Sequence, residues 1–269
     1  MKIGVAGLGL IGGSLALALR GAHEVTGFDS DERARAAAGS AGVRTVARVE
    51  ELAPADAVIV ATPLAALVAT LERLSHRSDG AVLLDTGSLK AAVVEWAARA
   101  PAAARIVGGH PMGGSTASGF AAADPELFRG RPFLLVPTER SDDGAMAIAG
   151  AIARDVGAVV TVCSVEAHDR AMARLIAAPL ATAAALGAAA ASEPLVGAAG
   201  PGFRDATRLA DTALELAVDV LFGNARYTGE ALDSVIEALE GIRDALGRED
   251  REYVRSLLGS ARSVRADIG

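Results

Sequence analysis

The chain has 269 residues, of which 51% are hydrophobic and 22% are charged, so it has apolar material for a buried core and charge for a solvated surface. Its 33 acidic and 26 basic residues give a net charge of -7 with no basic block, which argues against nucleic acid or an anionic membrane as a partner. Cys163 is the single cysteine, so there is no internal disulfide and no multi-cysteine metal site. We expect a soluble protein of the reducing cytoplasm with two domains.

Short β-rich segments alternate with alanine-rich amphipathic segments from residue 2 to about residue 165. This alternation is typical of a parallel sheet that is covered by helices on both faces. The predicted strands are residues 2–6, 24–28, 44–46, 57–61, 81–85, 105–107, 132–136 and 158–162. The pattern predicts an α/β, Rossmann-like dinucleotide-binding domain over residues 1–165.

The first predicted strand runs into a glycine-rich turn, in which residues 7–12 read Gly-Leu-Gly-Leu-Ile-Gly. The first glycine permits a tight turn, the second lets the backbone approach a pyrophosphate, and the third lets the next helix pack closely. The N-terminus of that helix offers N–H groups and a positive dipole end to phosphates. We therefore expect the cofactor to contact Gly7, Gly9, Leu10, Ile11 and Gly12.

Asp29 directly follows the second predicted strand, seventeen residues after Gly12. A carboxylate here accepts hydrogen bonds from both ribose hydroxyls and repels a 2′-phosphate, so NAD is favoured over NADP. The alternative is that Asp29 caps the next helix. Thr62 and Pro63 follow another strand at the same edge and are expected beside the adenosine half, although Thr62 also suits a helix cap.

Polar residues follow two later strands. Residues 85–90 read Asp-Thr-Gly-Ser-Leu-Lys and include Ser88, and residues 108–115 read Gly-Gly-His-Pro-Met-Gly-Gly-Ser and include His110 and Ser115. Because the carboxyl ends of parallel strands meet at one edge, these residues should lie beside the nicotinamide. A histidine in a glycine-flanked loop at that edge suits a catalytic base, and a structural role is the alternative.

From about residue 166 onward the strand signals stop, and alanine, leucine and charged residues recur at helical spacing. This change predicts a helical second domain over residues 166–269. The segment 175–191 has no charge and approaches the length of a membrane span, but it contains Pro179 and Gly187. We expect this helix to be buried between subunits rather than to cross a membrane.

Taken in order, these motifs and several later ones resemble the prephenate/arogenate dehydrogenase family. The later motifs are Ser-Gly-Phe at residues 118–120, Leu-Phe-Arg-Gly-Arg at 127–131, Pro-Phe-Leu-Leu-Val-Pro at 132–137, His168-Asp169, and Gly-Phe-Arg-Asp-Ala-Thr-Arg at 202–208. The ordered set spans most of the chain. The resemblance implies a Rossmann-like domain followed by an all-α domain that holds the substrate and forms a homodimer.

In that family prephenate or arogenate, both cyclohexadienyl compounds, is oxidised at C4 with hydride transfer to NAD while CO2 leaves C1, in tyrosine biosynthesis. By resemblance, His110 accepts the proton of the ring 4-hydroxyl, for which an imidazole with a pKa of about 6.5 is suited. Ser88 hydrogen-bonds the same hydroxyl, although its position also suits the N-cap of the helix that begins near Lys90.

The resemblance also assigns the substrate's carboxylate groups to cationic side chains of the second domain. Arg208 is the position that the family uses for a carboxylate, and Arg204 is second. Surface ion pairs with Asp205 or Asp211 are the alternative for both. His168 is expected either in the substrate pocket or at a helix start, and Ser115 in the pocket.

The chain departs from the family after His168-Asp169, where members often read Ser-His-Leu-Pro-His. Here residues 176–180 read Ile-Ala-Ala-Pro-Leu, so both histidines are absent and Leu180 makes that wall of the pocket apolar. The change leaves open prephenate, arogenate or an amino-substituted analogue such as 4-amino-4-deoxyprephenate.

Two other functions stay open. A non-catalytic NAD-binding sensor would account for the changed helix, but it would need neither His110 nor Ser88. A dehydrogenase of the β-hydroxyacid type would use a lysine in the helical domain, whereas the only lysines are Lys2 and Lys90.

Overall fold

The computed structural model describes residues 1–77, 80–114 and 117–267. In this part of the chain eight strands form one sheet. The strands are β1 (Lys2–Ala6), β2 (Glu24–Phe28), β3 (Arg44–Thr45), β4 (Ala57–Val60), β5 (Val82–Asp85), β6 (Arg105–Pro111), β7 (Pro132–Pro137) and β8 (Val159–Val162). Their order across the sheet is β3-β2-β1-β4-β5-β6-β7-β8, and the first six stand in the order of dinucleotide-binding folds. Each segment predicted as a strand overlaps one of these strands.

The sheet is mixed rather than wholly parallel. Strands β1 to β6 run in one direction, but β7 is antiparallel to β6, with His110 opposite Leu134, and β8 runs parallel to β7. A parallel neighbour of β6 would need a crossover connection. The described residues between β6 and β7 form only a short 3₁₀-helix, Phe120–Ala122, so the chain turns back directly. The prediction of a parallel sheet is therefore wrong at β7.

Helices of the first half pack on both faces of the sheet. They are α1 (Leu10–Leu19), α2 (Glu32–Ser40), α3 (Leu64–Ser75), α4 (Ala91–Arg99) and α5 (Asp143–Asp155). On one face Leu15 of α1 is buried with Val5 of β1, and on the other Leu71 of α3 is buried with Val58 of β4. Every residue of β4 and β5 is buried, as a sheet with two covered faces requires.

The described residues after β8 form helices and their connections. The helices are α6 (Val165–Met172), α7 (Ala178–Ala189), α8 (Pro201–Thr207), α9 (Leu214–Phe222), α10 (Ala225–Gly247) and α11 (Arg251–Asp267), with 3₁₀-helices at Val196–Ala198 and Arg208–Asp211. The helical second half is therefore as predicted.

A π-helical turn, Ala173–Ala177, joins α6 to α7 without a break. Pro179 near the start of α7 has no N–H to donate, and its ring crowds the carbonyl group one turn earlier, so a wider turn accommodates it. By length and composition alone, the continuous helix Val165–Ala189 is long and apolar enough to cross a membrane. Of its most apolar 18-residue stretch, 33% is buried.

Large apolar side chains of the helical half remain exposed. This exposed apolar set consists of Leu175, Leu186, Leu195, Val196, Leu214, Leu216, Val218, Phe222, Ile236, Leu239, Leu246, Tyr253, Leu258 and Val264. The buried clusters of this half are small: one is centred on Ala173 and Ala231, the other on Leu180 and Val220. The helical half therefore leaves much of its apolar surface without cover from its own chain.

Candidate active site

The turn after β1 has the backbone geometry that its glycines predict. Gly7 has φ +93°, and a Cβ there would lie 2.4 Å from the carbonyl oxygen of Ala61. A Cβ on Gly12 would lie 1.9 Å from the carbonyl oxygen of Gly7, so α1 packs too closely on the turn for a side chain. Among the described residues, nothing apart from the chain neighbours of Gly9 lies within 4 Å of its Cβ position, which leaves open space beside the turn.

Helix α1 presents its N-terminus at this turn. It begins at Leu10 after Gly9, and no side chain in the described part of the protein caps it. The first N–H groups of the helix and the positive end of its dipole are therefore available beside the open space. This arrangement suits a pyrophosphate.

Asp29, directly after β2, connects the end of that strand to the glycine turn. Its Oδ2 accepts the N–H of Leu8 at 2.7 Å, and its Oδ1 accepts the N–H of Asp31 at 2.9 Å. Asp29 does not cap α2, because Asp31 does so by accepting the N–H of Arg33. The helix-cap alternative for Asp29 is therefore wrong, and the carboxylate is held at the edge where a ribose is expected.

Thr62 and Pro63 follow β4 at the same edge of the sheet. Helix α3 begins at Leu64 after the N-cap residue Pro63, and Thr62 does not cap it, so the cap alternative for Thr62 is also wrong. The Oγ1 atom of Thr62 is buried and has no hydrogen-bond partner among the described residues. A buried hydroxyl without a partner costs about 1–3 kcal/mol, so this atom suits contact with a bound ligand.

His110 lies inside strand β6 and not in a loop after it. The sequence predicts that the strand ends before Gly108, but it continues to Pro111. The two glycines serve close packing: a Cβ on Gly109 would lie 2.4 Å from the carbonyl oxygen of Asp85. They let β6 approach the residues that follow β5 and so bring His110 beside them.

Asp85 and Lys90 form an ion pair in which both side chains are wholly buried. Asp85 also accepts the N–H of Gly87 at 2.8 Å and that of Gly109 at 3.2 Å. Burial raises the pKa of Asp85 and lowers that of Lys90, while their mutual attraction opposes both shifts. The ion pair thereby holds the turn after β5 against strand β6.

A second buried carboxylate comes from the helical half. Asp169 on α6 accepts the N–H of Lys90 at 3.0 Å and that of Ala91 at 2.9 Å, so it caps α4. Nδ1 of His168 lies 2.7 Å from Oδ1 of Asp169, and Nε2 of His168 lies 3.0 Å from Nδ1 of His110. The two halves of the chain therefore meet through a buried hydrogen-bond network at His110.

His168 is buried and its ring contacts the ring of His110. Both of its ring nitrogens lie at hydrogen-bond distance from protein atoms, and its contact with the substrate stays a prediction. Helix α6 is capped by Ser164, whose side chain accepts the N–H of Ala167, and His168 lies in the first turn of this helix, as the helix-start alternative expects. Asn224 fixes the same turn of α6 by donating to the carbonyl oxygen of Asp169 at 2.6 Å.

The network shifts the pKa of His110 and that of Asp169 in ways that suit a base. Burial, followed by the positive charge of Lys90 and by His168, lowers the pKa of His110 well below the value of about 6.5 expected from the sequence. Burial alone would raise the pKa of Asp169, but hydrogen bonds from His168 and from the amides of Lys90 and Ala91 hold it below its usual value. At neutral pH His110 is therefore neutral and Asp169 is ionised.

Ser88 lies half-buried in the turn between β5 and α4. Helix α4 begins at Ala91 and is capped by Asp169, so the alternative that Ser88 caps this helix is wrong. Among the described residues, its hydroxyl has no hydrogen-bond partner. The hydroxyl is thus free for a ligand. Ser115 lies outside the described residues.

Arg204 lies on α8, and Arg208 begins the 3₁₀-helix that follows. Both are exposed. In the described chain neither forms an ion pair with Asp205, Asp211 or another residue, so the ion-pair alternative is wrong. The structure does not join these arginines to the network around His110, and their role stays a prediction.

Leu180 lies between the arginine segment and the cofactor edge. It is buried in a cluster with Val220, against which Leu64 of α3 and Leu209 pack. Leu209 directly follows Arg208, so the cluster connects the helical half to the end of β4. The wall at Leu180 is apolar, as the sequence indicates.

The sequence did not predict the roles of Asp85, Lys90, Asp169 and Asn224. Asp85 and Lys90 lie in the motif at residues 85–90, and Asp169 is adjacent to His168. The sequence therefore indicated that these residues lie near the site, but not what they do there. A buried position for three charged groups at a strand edge is the feature that would have pointed to them.

Known proteins match both halves of the chain. Residues 15–162 match the family model "Prephenate dehydrogenase, nucleotide-binding domain", and residues 164–260 match "Prephenate dehydrogenase, dimerization domain". The chain is 36% identical over 276 residues to a prephenate dehydrogenase of Bacillus subtilis, and this match covers 97% of the chain and 74% of that protein.

Solved structures agree along the whole chain. A Synechocystis arogenate dehydrogenase has a TM-score of 0.86 at 29% identity, with 100% of both chains covered. A prephenate dehydrogenase from A. aeolicus, in complex with hydroxyphenyl propionate and NAD+, has a TM-score of 0.91 at 26% identity, with 100% of this chain and 99% of that one covered. The chain therefore belongs to the prephenate dehydrogenase family, which confirms the resemblance and the fold class expected from the sequence.

Proposed function

We propose that this protein catalyses the NAD-dependent oxidative decarboxylation of prephenate or arogenate in tyrosine biosynthesis. The observation that carries the proposal is His110, a buried neutral imidazole that is backed by His168 and an ionised Asp169. Family membership supports it, because the relatives from Bacillus subtilis and Synechocystis are named prephenate and arogenate dehydrogenase.

The cofactor end fits NAD. The turn from Gly7 to Gly12, which includes Gly9, Leu10 and Ile11, would hold the pyrophosphate, and Asp29 would bind the ribose hydroxyls. The unpartnered hydroxyl of Thr62, followed by Pro63, would contact the adenosine half. When bound, NAD supplies the acceptor for the hydride. The charge on Asp29 would repel a 2′-phosphate, so we expect NADP to be the poorer cofactor.

His110 and Ser88 act on the ring 4-hydroxyl. As the C4–H bond breaks, Nε2 of His110 accepts the hydroxyl proton, and a positioned base of this kind contributes about 10²–10⁴-fold. The electron pair of the C1–carboxylate bond completes the aromatic ring as CO2 leaves, and the proton then returns to the oxygen. Ser88 has a hydroxyl without a partner in the described chain and would orient the substrate's hydroxyl.

The substrate's carboxylates would be held by Arg208 and, second, by Arg204. Both guanidinium groups are exposed and free of ion pairs within the described residues, so they are available for a carboxylate. We also expect Ser115 near the substrate. No contact among the described residues favours an amino-substituted analogue such as 4-amino-4-deoxyprephenate. Because the wall at Leu180 is apolar, we include this compound among the substrates to be tested.

Residues 1–165 would bind the cofactor, and residues 166–269 would hold the substrate and form a homodimer. The exposed apolar set of the helical half supports a dimer, because such side chains are usually covered by another surface. We propose that α6 and α7 face this interface rather than a membrane, and that the protein is cytoplasmic with no nucleic-acid partner. Light scattering that gave a monomer at micromolar concentration would contradict the dimer.

The decisive experiment is NADH formation by the purified protein, with prephenate, arogenate and 4-amino-4-deoxyprephenate offered in parallel. Each is tested with NAD and with NADP, and CO2 is measured in the same samples. We expect one CO2 for each NADH with prephenate or arogenate. NADH without CO2 would indicate a dehydrogenase of the β-hydroxyacid type, and NAD binding without any turnover would indicate a sensor.

A further inference from the structure

Behind His110 lies a chain of hydrogen bonds that ends on an ionised carboxylate. Nδ1 of His110 is 3.0 Å from Nε2 of His168, and Nδ1 of His168 is 2.7 Å from Oδ1 of Asp169. His168 and Asp169 are 1% and 3% exposed, so water does not compete for these atoms. The amides of Lys90 and Ala91 fix the carboxylate. These hydrogen bonds therefore form an internal path from His110 to the buried carboxylate of Asp169.

The donors and acceptors along this path allow two arrangements of protons. Ionised Asp169 only accepts, so Nδ1 of His168 carries a hydrogen. When His168 is neutral, its Nε2 accepts, so His110 carries its hydrogen on Nδ1 and has a lone pair at Nε2. When His168 is a cation, its Nε2 donates to Nδ1 of His110, and His110 carries its hydrogen on Nε2. One added proton at Nε2 of His110 interconverts the two.

We propose that His110 and His168 form a proton relay that holds the substrate's proton during turnover, an inference that rests on the proposed function. As the O–H bond of the ring hydroxyl breaks, its electron pair stays on oxygen and the proton bonds to Nε2 of His110. The hydrogen on Nδ1 of His110 moves to Nε2 of His168. His110 is then neutral again, and His168 is the cation beside Asp169. Both transfers reverse when the oxygen regains its proton.

The charges around the rings favour His168 as the site of the cation. Burial and then the positive charge of Lys90 lower the pKa of His110, so a lasting cation on that ring is disfavoured. A cation on His168 instead has the carboxylate of Asp169 at hydrogen-bond distance. The other titratable groups of this region are Asp85, which is paired with Lys90, and Cys163, whose pKa is raised by burial and by Asp169. The relay lets a weakly basic ring accept a proton without keeping it.

The direct test is NMR of the ring nitrogens in protein labelled with ¹⁵N-histidine, titrated with acid in the absence of substrate. The chain has four histidines, so His23→Asn and His76→Asn assign the two outside the site and should leave the other signals unchanged. We expect His168 to gain a hydrogen at Nε2 while His110 exchanges its Nδ1 hydrogen for one at Nε2. A His110 ring that carries both hydrogens beside a neutral His168 would overturn the relay.

Two substitutions of His168 separate the relay from a role in orientation alone. In His168→Gln the amide oxygen still accepts the hydrogen on Nδ1 of His110, but the amide cannot take up a proton. We expect kcat to fall about 10²-fold in both His168→Gln and His168→Ala. The acid limb of kcat/KM should move to lower pH, because His110 then titrates by itself. Wild-type turnover and an unmoved acid limb in His168→Gln would overturn the relay.

The two tests distinguish failure of the relay from failure of the proposed function. If NMR shows the expected movement of hydrogens between His110 and His168 but no cyclohexadienyl compound turns over, the proton transfer between the rings is supported and the proposed reaction is wrong. If turnover is normal and His110 itself becomes the cation, the reaction stands and the relay is wrong. Binding of NAD to each variant, measured by titration, shows that the variant is folded.

Discussion

The carboxyl edge of the sheet has a cofactor end and a chemical end, and the two are shaped by different means. At the cofactor end the backbone decides the form, because Gly7 and Gly12 leave no room for a side chain and Gly9 leaves open space. At the chemical end buried polar side chains determine the form, namely the Asp85–Lys90 ion pair and the His168–Asp169 pair near His110.

This difference separates binding from turnover. A ligand that binds to backbone N–H groups is held by shape, so changes at the cofactor end should alter the affinity for NAD and leave kcat nearly unchanged. The chemical end works through charge and proton position, which buried neighbours control. Changes there should alter kcat or stability and leave NAD binding nearly unchanged. Each of the following substitutions tests that division.

The largest effect on turnover is expected from His110→Asn. The amide has a similar size and still forms hydrogen bonds, but it cannot accept the proton of the substrate. We expect kcat to fall by about 10³-fold. The Kd for NAD, measured by titration, should change less than about twofold. If the variant kept more than about a tenth of the wild-type kcat, His110 would not be the base. The assignment of turnover to the chemical end would then be wrong.

Lys90→Met should have the largest effect on stability. It removes the cation from a buried pair and leaves the carboxylate of Asp85 with the N–H groups of Gly87 and Gly109 but without a positive charge beside it. We expect the free energy of unfolding, measured by urea denaturation, to fall by about 3–5 kcal/mol. The double variant Asp85→Asn/Lys90→Met removes both charges of the pair and should recover part of the loss. Equal losses in the single and double variants would show that packing, and not charge, matters here.

The cofactor end was predictable because its signals are local. A strand, three glycines and an acidic residue after the next strand lie within residues 2–29, and their spacing alone predicts their geometry. For Asp29 the sequence also allowed a helix cap. In the structure Asp31 caps α2, and Asp29 lies at the edge where the ribose is expected. His110 and Ser88 were found from their positions near the ends of strands and from the family resemblance.

The chemical end was less predictable because its contacts join distant parts of the chain. The N–H of Lys90 bonds to Asp169, 79 residues away, and no local pattern indicates this cap. The sequence also did not predict that β6 continues through Gly108 and Gly109. Paired glycines usually indicate a turn, and only the close approach of Asp85 explains why they lie in a strand here. Whether His168 touches the substrate or stands behind His110 depends on the same contacts.

Arg208→Ala tests the substrate side of the chemical end. If this guanidinium binds a substrate carboxylate, its loss removes a charged hydrogen bond worth about 2 kcal/mol, and the KM for prephenate or arogenate should rise about 30-fold. The KM for NAD should not change. Arg204→Ala should have a smaller effect. Arg243→Ala is the matched surface control, because Arg243 is exposed and paired with Glu240. An unchanged substrate KM in Arg208→Ala would place the carboxylate elsewhere.

The smallest effect is expected at the cofactor end from Asp29→Asn. The amide keeps an oxygen for the N–H of Leu8, so the turn should hold, but the charge that excludes a 2′-phosphate is lost. We expect the KM for NAD to rise about tenfold, a loss of about 1.4 kcal/mol, and the preference for NAD over NADP to narrow. Asp31→Asn is the control, since it alters the cap of α2 and not the ribose site. A lower kcat with an unchanged KM would contradict the division, because a residue at the cofactor end would then control turnover.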